Sequence, residues 1–242
     1  MKAKNLIFSV VAAGIVALSL MCSTSKSPSD NGGGGGGGTA TASYYGFTPG
    51  TIFKAHYYNY VTADGRLLTI DSLRFDVTIT VGAVVTYHGA QTIPIHISNV
   101  GAISGEDIID AIVHVSIKAD GLYWHGVQTC SNDFALPTAL RLAPFPITGA
   151  ANWLYADLIP AQLEECLAGL VSGRTLDIHV SGPTSHNVQG TAYSTVYTVQ
   201  VVYQQDNYEV WFVPDVGIVL GCDYWETTFE HIGQGFQVYE KH

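Results

Sequence analysis

The sequence predicts a mainly β protein: an antiparallel curved sheet or half-barrel with one packed amphipathic helix, or alternatively a β-sandwich. Three observations predict it. Apolar and polar residues alternate in several segments, turn residues fall at short intervals between them, and the composition is rich in Gly (26) and Tyr (14) with only 12% charged side chains. From Leu73 to Val81 the alternation is unbroken, so the odd positions face a core and the even positions face solvent. Such a half-buried strand belongs in an antiparallel sheet.

The elements follow in order. Thr51 to Val61 reads as a strand rich in aromatic and β-branched residues, and Ala63-Asp64-Gly65 turns the chain into the Leu73 to Val81 strand. His88-Gly89 marks the next turn, before alternation resumes at Ile93 to Ile97 and Ala111 to Lys118. A helical turn capped by Ser104 is expected over Gly105 to Asp110. Ala119-Asp120-Gly121 is another turn. Leu176 to Ser181 and Thr195 to Tyr203 alternate in the same way, Gln205-Asp206-Asn207 turns, and Tyr208 to Leu220 reads as further strand. Asp-Gly turns at short spacing imply hairpins and exclude crossover βαβ units.

One segment breaks the alternation. From Pro160 to Gly173, residues Leu163, Cys166, Leu167, Leu170 and Val171 form the i, i+3, i+4, i+7, i+8 stripe of an amphipathic helix. Pro160 suits the first turn, Glu164 and Glu165 complement the N-terminal dipole, and Gly173 suits the C′ position. The narrow stripe predicts that this helix lies against a sheet face, with Cys166 in the contact.

The N-terminus has a different character. Lys2 and Lys4 precede sixteen residues, Leu6 to Met21, too few for a comfortable permanent span, so residues 1–21 read as a signal peptide. Two processing routes compete. Ala17-Leu18-Ser19 satisfies the small-x-small rule of ordinary cleavage, whereas Cys22 occupies the position of a lipidated cysteine, with Met21 bulkier than the Gly or Ala that usually precedes it. Residues 22–42, with the run Gly32 to Gly38, form a flexible tether reaching about 25 Å r.m.s.. Residues 43–242 then make a single β-rich domain.

Charge and cysteine usage narrow the partners. Without Lys2 and Lys4 the chain keeps 8 basic against 20 acidic residues, a net charge of −12, which repels nucleic acid and bare anionic lipid. Cys130, Cys166 and Cys222 are an odd set for an oxidising compartment, so at most one disulfide forms among them, with Cys130 and Cys222 the expected pair, and three buried thiols the alternative. No cysteine spacing fits zinc.

Catalytic motifs are missing from the chain: there is no H-E-x-x-H, G-x-S-x-G, Walker-type or dinucleotide loop. His96, His114 and His179 hold the polar phase of their strands and read as solvent-facing, or as a cluster if those strands are neighbours. His179 and His186 flank Ser181-Gly182-Pro183. The carboxylate groups Glu106, Asp107, Asp110 and Asp223, Glu226, Glu230 read as solvated faces rather than a glycosidase pair. Tyr44, Tyr45, Phe53, Tyr57, Tyr58, Tyr60 and Trp124 suit core packing, or stacking surfaces for sugars, or the walls of a site for an apolar ligand. No catalytic residue, metal or cofactor is assigned, and the ligand-binding residues are not specified.

Two stretches carry a resemblance. Phe47-Thr48-Pro49-Gly50 leading to Phe53-Lys54-Ala55-His56-Tyr57, and Phe145-Pro146-Ile147-Thr148-Gly149 leading to Trp153-Leu154-Tyr155, resemble the lead-in strands of uncharacterised bacterial lipoproteins. Glu209 to Val219 looks like the aromatic hairpin with Pro and Gly at its bend in the same group, with Leu220 where a lysine often follows. The resemblance implies a curved antiparallel sheet similar to that of outer-membrane lipoprotein carriers, a half-barrel that wraps a helix and encloses acyl chains. It transfers no catalytic residue. The two lead-ins also suggest an internal pseudo-repeat, with Asp64-Gly65 and Asp120-Gly121 as counterpart turns.

The expected function is a membrane-anchored, non-enzymatic lipoprotein of the bacterial cell envelope, acylated at Cys22. It would bind an apolar or amphipathic ligand, or another envelope component, between sheet and helix. A protein processed after Ser19 would instead be secreted or periplasmic. Two other functions remain open: a carbohydrate-binding or adhesive surface with a row of coplanar rings, and a tethered hydrolase with converging carboxylates or a Ser/His pair.

Overall fold

The computed structural model describes residues 44–62, 69–100, 110–129, 133–155, 176–203, 206–226 and 231–242. The strands are β1 (Ile52–Thr62), β2 (Thr69–Val81), β3 (Val85–Tyr87), β4 (Ala90–Val100), β5 (Asp110–Lys118), β6 (Gly121–Thr129) and β7 (Asp133–Pro144). They continue as β8 (Ala151–Tyr155), β9 (Leu176–Val188), β10 (Thr191–Tyr203), β11 (Asp206–Val213), β12 (Gly217–Glu226) and β13 (His231–Lys241). All pairings are antiparallel, in the order β7-β6-β5-β4-β2-β1-β13-β12-β11-β10-β9-β8, with β3 attached to β4 alone.

Every neighbour in that order but one is also a neighbour in sequence once β3 is set aside. The exception joins the first and last strands: β1 pairs β13 from Phe53↔Lys241 to Thr62↔His231. The sheet is therefore a nearly closed barrel, rather than the half-barrel or sandwich expected. Its remaining seam lies between β7 and β8, where side chains replace the backbone ladder. Trp153 Nε1 donates to the Arg141 carbonyl at 2.8 Å, and the Tyr155 hydroxyl donates to the Thr138 carbonyl at 2.8 Å. The Arg141 guanidinium lies over the Trp153 ring, 5.4 Å from its centroid. Pro137 interrupts the N–H row of β7 at this edge, a common way to blunt an unpaired strand.

The alternation read from sequence sets the two faces. Phe53, Ala55 and Tyr57 of β1, Val77, Ile79 and Val81 of β2, and Ala111, Val113 and Val115 of β5 join one continuous interior cluster that runs on to Phe236 and Val238 of β13. Each fully buried aliphatic side chain there contributes about 1.5–3 kcal/mol relative to exposure. The opposite phase carries Lys54, His56, Asp76, His96 and Asp110 and is exposed or half-buried. This is the reverse of a membrane-spanning barrel, whose apolar band faces outward. Among the described residues no helix is long and apolar enough to cross a membrane.

The chain runs as two stretches of the ring, its halves β1–β7 and β8–β13. The lead-in to β1 and the lead-in to β8 pack against each other at one end of the barrel: the Tyr45 hydroxyl donates to the Pro144 carbonyl at 2.5 Å, and Ile147 N donates to the Tyr44 hydroxyl at 3.0 Å. Tyr44, Tyr45, Phe145 and Phe212 seal that end through edge-on and tilted ring contacts. Each lead-in also bonds to a turn of the opposite half, Phe145 N to the Asp120 carbonyl and Asp215 N to the Tyr44 carbonyl, both 3.0 Å. Asp120 and Asp215 thus hold corresponding places against the two lead-ins, while the suggested counterpart turn Asp64-Gly65 lies outside the described residues.

Each half also sends out a long arm. β4 meets β5 only from Ile93 onward, and β10 meets β11 only from Tyr197 onward, so the distal parts of the β3–β4 and β9–β10 hairpins leave the ring. Both tips are two-residue turns with positive φ at each position, His88-Gly89 (44° and 82°) and Gln189-Gly190 (50° and 81°). The first arm folds back over β5 and β6 to β7. The second reaches β13 and β1, where Gln189 Nε2 donates to the Tyr58 hydroxyl and to Gln237 Oε1, both at 2.8 Å. Val188 and Val196 of that arm bury Val213 and Val219 beneath it.

Several expectations need correction or fall elsewhere. Tyr208 to Leu220 is a hairpin, β11 and β12 about a turn at 214–216, as the resemblance implies, whereas Asp206 and Asn207 belong to β11 rather than to the expected turn. Asp110 opens β5 instead of closing a helical turn. The expected helix from Pro160 to Gly173, residues 1–42 with Cys22, and Cys130 and Cys166 lie outside the described residues. Cys222 is in β12, its side chain undescribed. Tyr45→Phe is expected to cost about 1–2 kcal/mol, because it strips the Pro144 carbonyl of its partner at the sealed end. Urea unfolding checks this, and an unchanged midpoint would contradict the role of that bond.

Candidate functional site on the outer face of the barrel

The outer phase gathers the titratable side chains into two places. The first lies under the β3–β4 arm. His114 projects from β5 on the outer phase, as expected, yet it is 3% exposed because Tyr87 of β3 covers it. The two rings stack with centroids 3.7 Å apart and planes 1° apart. Gly126 makes room for this: a Cβ there would lie 2.8 Å from the Tyr87 hydroxyl and 2.0 Å from the Phe134 carbonyl.

A chain of hydrogen bonds fixes each polar group. Gln128 Nε2 donates to Asp133 Oδ2 at 3.3 Å, turning its carbonyl oxygen to His114 Nε2 at 2.8 Å. His114 therefore carries its proton on Nε2, and its Nδ1 accepts from the Thr92 hydroxyl at 3.0 Å. The Tyr87 hydroxyl shares its proton between Asp133 Oδ1 at 2.8 Å and the Phe134 carbonyl at 2.7 Å. His88 Nε2 stands 3.3 Å from Asp133 Oδ2. Burial would raise the Asp133 carboxyl, but the bonds from Tyr87, Gln128 and His88 outweigh it and hold the carboxyl low. Burial, and then the Asp133 bond, push the Tyr87 phenol well up. Burial pushes the His114 imidazole down, against the opposing pull of Gln128 and Asp133.

Ser116 Oγ lies 2.7 Å from His125 Nε2, on the β6 residue that the β5–β6 bulge leaves over. Burial, Lys118 and His114 all lower the His125 imidazole. The pair has the spacing of a hydroxyl nucleophile and its base. Among the described residues no carboxylate bonds its other ring nitrogen, so the group that orients a catalytic imidazole is not supplied.

The second place is open. His56 of β1 stacks on Tyr239 of β13, centroids 4.2 Å apart and planes 23° apart, and His56 Nδ1 meets Asp76 Oδ1 at 2.6 Å. Tyr58 meets the His56 ring edge-on. Lys54 Nζ bridges to Glu240 at 2.7 Å, and His242 reaches Glu240 at 3.0 Å. His96 is paired with Asp110 at 2.7 Å farther along the sheet.

The sequence-derived candidates are thus dispersed. His96, His114 and His179 do not form a cluster, and no group of three or more metal-capable side chains exists among the described residues. His186 stands seven residues beyond His179 on the same strand and packs on Trp211, ring centroids 4.0 Å apart. Tyr45, Phe53, Tyr57 and Trp124 are buried in the interior, so they are not stacking surfaces. Glu106, Asp107 and Glu230 lie outside the described residues, as do the side chains of Asp223, Glu226 and Tyr60. Tyr239 and the Tyr87–His114 stack were not singled out from sequence. His88-Gly89 was the available signal for the second, since a tight turn there doubles β3 back.

These features define a nearly closed antiparallel barrel with an apolar inner face and two arms clasped to its outside. No family model matches the chain, and no curated protein does. In structure it is similar to a Bacteroides fragilis protein described as an exported protein with a YMCC-like fold. The two share 12% identity over 81% of this chain and 99% of that one, with a TM-score of 0.33.

The lowered imidazoles of His114, His125 and His186 carry a pH prediction. Folding favours their neutral forms, so this stability is fully present above the ordinary value of 6.5 and is lost as pH falls through the folded values. The groups facing His114 are Tyr87 and His88 from the arm, Thr92 from β4, His125 and Gln128 from β6, and Asp133 from β7. Asp133 stays ionised throughout this window. The melting temperature is expected to fall between pH 7 and pH 5, and to fall less in His114→Gln. Each 1 kcal/mol lost moves it by about 2–4 °C in a domain of this size. A flat profile for the natural protein would contradict the prediction.

Proposed function

We propose that this protein is a non-enzymatic lipoprotein of the bacterial cell envelope, anchored through an acylated Cys22, whose barrel binds another envelope component with its outer face. The basic start, the apolar run of Leu6 to Met21 and the glycine tether support the anchor. One structural observation carries the choice of face. The interior cluster runs without interruption around the described ring, from Tyr45 through Val113 to Phe236, whereas the half-exposed polar and aromatic groups stand outside. The interior phase offers an incoming partner almost no hydrogen-bonding side chains, whereas the outer phase offers both rings and polar groups. The Ser116–His125 pair is the observation that favours a tethered hydrolase as a second reading.

The anchor is tested by feeding cells an alkynyl palmitate analogue. The natural chain is expected to take up the label and to fractionate with membranes, and Cys22→Ser is expected to lose both. An unlabelled protein beginning at Leu20 would contradict the anchor and indicate release after Ser19.

A further inference from the structure

We propose that the outer face where β1 meets β13 is a binding site for an uncharged glycan, with the Tyr239 ring as its stacking platform. This deepens the reading of the outer face as the binding face, and rests on it.

Tyr239 is 42% exposed, one of a few large hydrophobic side chains so placed among the described residues. Val238 faces the interior, so Tyr239 faces out, and the register shift between Lys54 and Ala55, with Glu240 paired to Lys54 and Val238 to Ala55, leaves Tyr239 as the extra residue of a bulge beside Glu240. The ring rests on His56, and His56 is held by Asp76 directly across the β1–β2 ladder. The platform is therefore braced from β2 before any ligand arrives, which reduces the ordering cost of binding.

Hydrogen-bonding groups flank the ring on two sides. Lys54, Glu240 and His242 have side chains 40–52% exposed, and Asp76 is 57% exposed. Gln237 and the arm residue Gln189 stand on the other side, already positioned by their mutual bond. Lys54 and Glu240 cancel each other, and the Asp76 carboxylate is already engaged by His56 Nδ1 at 2.6 Å, so no cluster of like charge is left to draw in an ion. The whole chain, at −10, repels polyanions, which disfavours nucleic acid despite the stacking ring. A purely apolar ligand needs a concave apolar pocket, and a protein partner needs a cluster of buried anchors. One ring bordered by donors and acceptors fits a sugar: its C–H face lies on the aromatic surface and its hydroxyls meet the flanking side chains.

The test is affinity electrophoresis of the full-length, detergent-solubilised protein in native gels containing dextran, barley β-glucan, mannan or xylan. Retardation by at least one of these is expected. Tyr239→Ala is expected to weaken it about tenfold or more, Tyr239→Trp to retain it, and His56→Ala to weaken it less than Tyr239→Ala does. Thermal melts of each variant separate loss of the platform from loss of the fold. Equal mobility in all four gels, or retardation unchanged in folded Tyr239→Ala, would overturn the proposal. Acyl labelling of the same preparation separates the two claims: label without retardation refutes the glycan site and leaves the anchor standing. Retardation without label does the opposite.

Discussion

The ladder between β1 and β13 is the constraint on which the rest depends. It joins strands at the two ends of the described chain and is locked at its end by reciprocal bonds between Ile52 and His242, at 2.8 and 3.0 Å. Without it the meander would be an open sheet with four exposed edges in two pieces, its apolar face uncovered. With it, Ala55, Tyr57, Phe236 and Val238 become the centre of a continuous interior. The entropy of bringing residues so distant in sequence together grows only slowly with loop length, so the closure is tolerable thermodynamically even though it slows folding.

Closure by backbone on one side leaves a mismatch on the other. At the β7–β8 seam the strands are joined by Trp153, Tyr155 and Arg141, whose side chains span a distance that a ladder would have spanned directly. The two lead-ins sit at the end of this seam, and their mutual bonds tie the first half to the second. The arms then solve a local problem. Each hairpin is longer than the ring is tall, and folding back lets Tyr87 cover His114 and lets Val188 and Val196 cover Val219, instead of leaving exposed edges. Covering His114 requires that every polar atom beneath the arm find a partner, which the Thr92–His114–Gln128–Asp133 chain supplies.

Much of the sheet was legible in the sequence wherever one face of a strand is buried and the other solvated, as in β1, β2, β4, β5, β9 and β10. β6 was not, because both of its faces are covered: Leu122 and Trp124 inside, His125 and Gly126 under the arm. β7 carries Pro137 and four residues opposite a single bulge residue, which erases its period, and glycines at 233 and 235 do the same to β13. The two lead-ins were visible as similar stretches, but their mutual contact was not, since nothing local to either one reveals that it will meet the other. Histidine phase was correct, and so was exposure for His96 and His179, but not for His114, which a further layer folded from a three-residue strand buries. Tyr239 stayed hidden because β13 is not legible as a strand, so its outward phase beside inward Val238 goes unassigned.

The central structural claim is that the barrel closes by a ladder at β1–β13 and by side chains alone at β7–β8. Amide hydrogen exchange of the full-length protein, followed residue by residue, tests it most directly. The amides of Ala55, Tyr57, Phe236 and Val238 are expected among the slowest in the chain, opening only with global unfolding, while the outward amides of β7 and β8 exchange orders of magnitude faster. Fast exchange along β1 and β13, or uniform protection across the seam, would contradict this account.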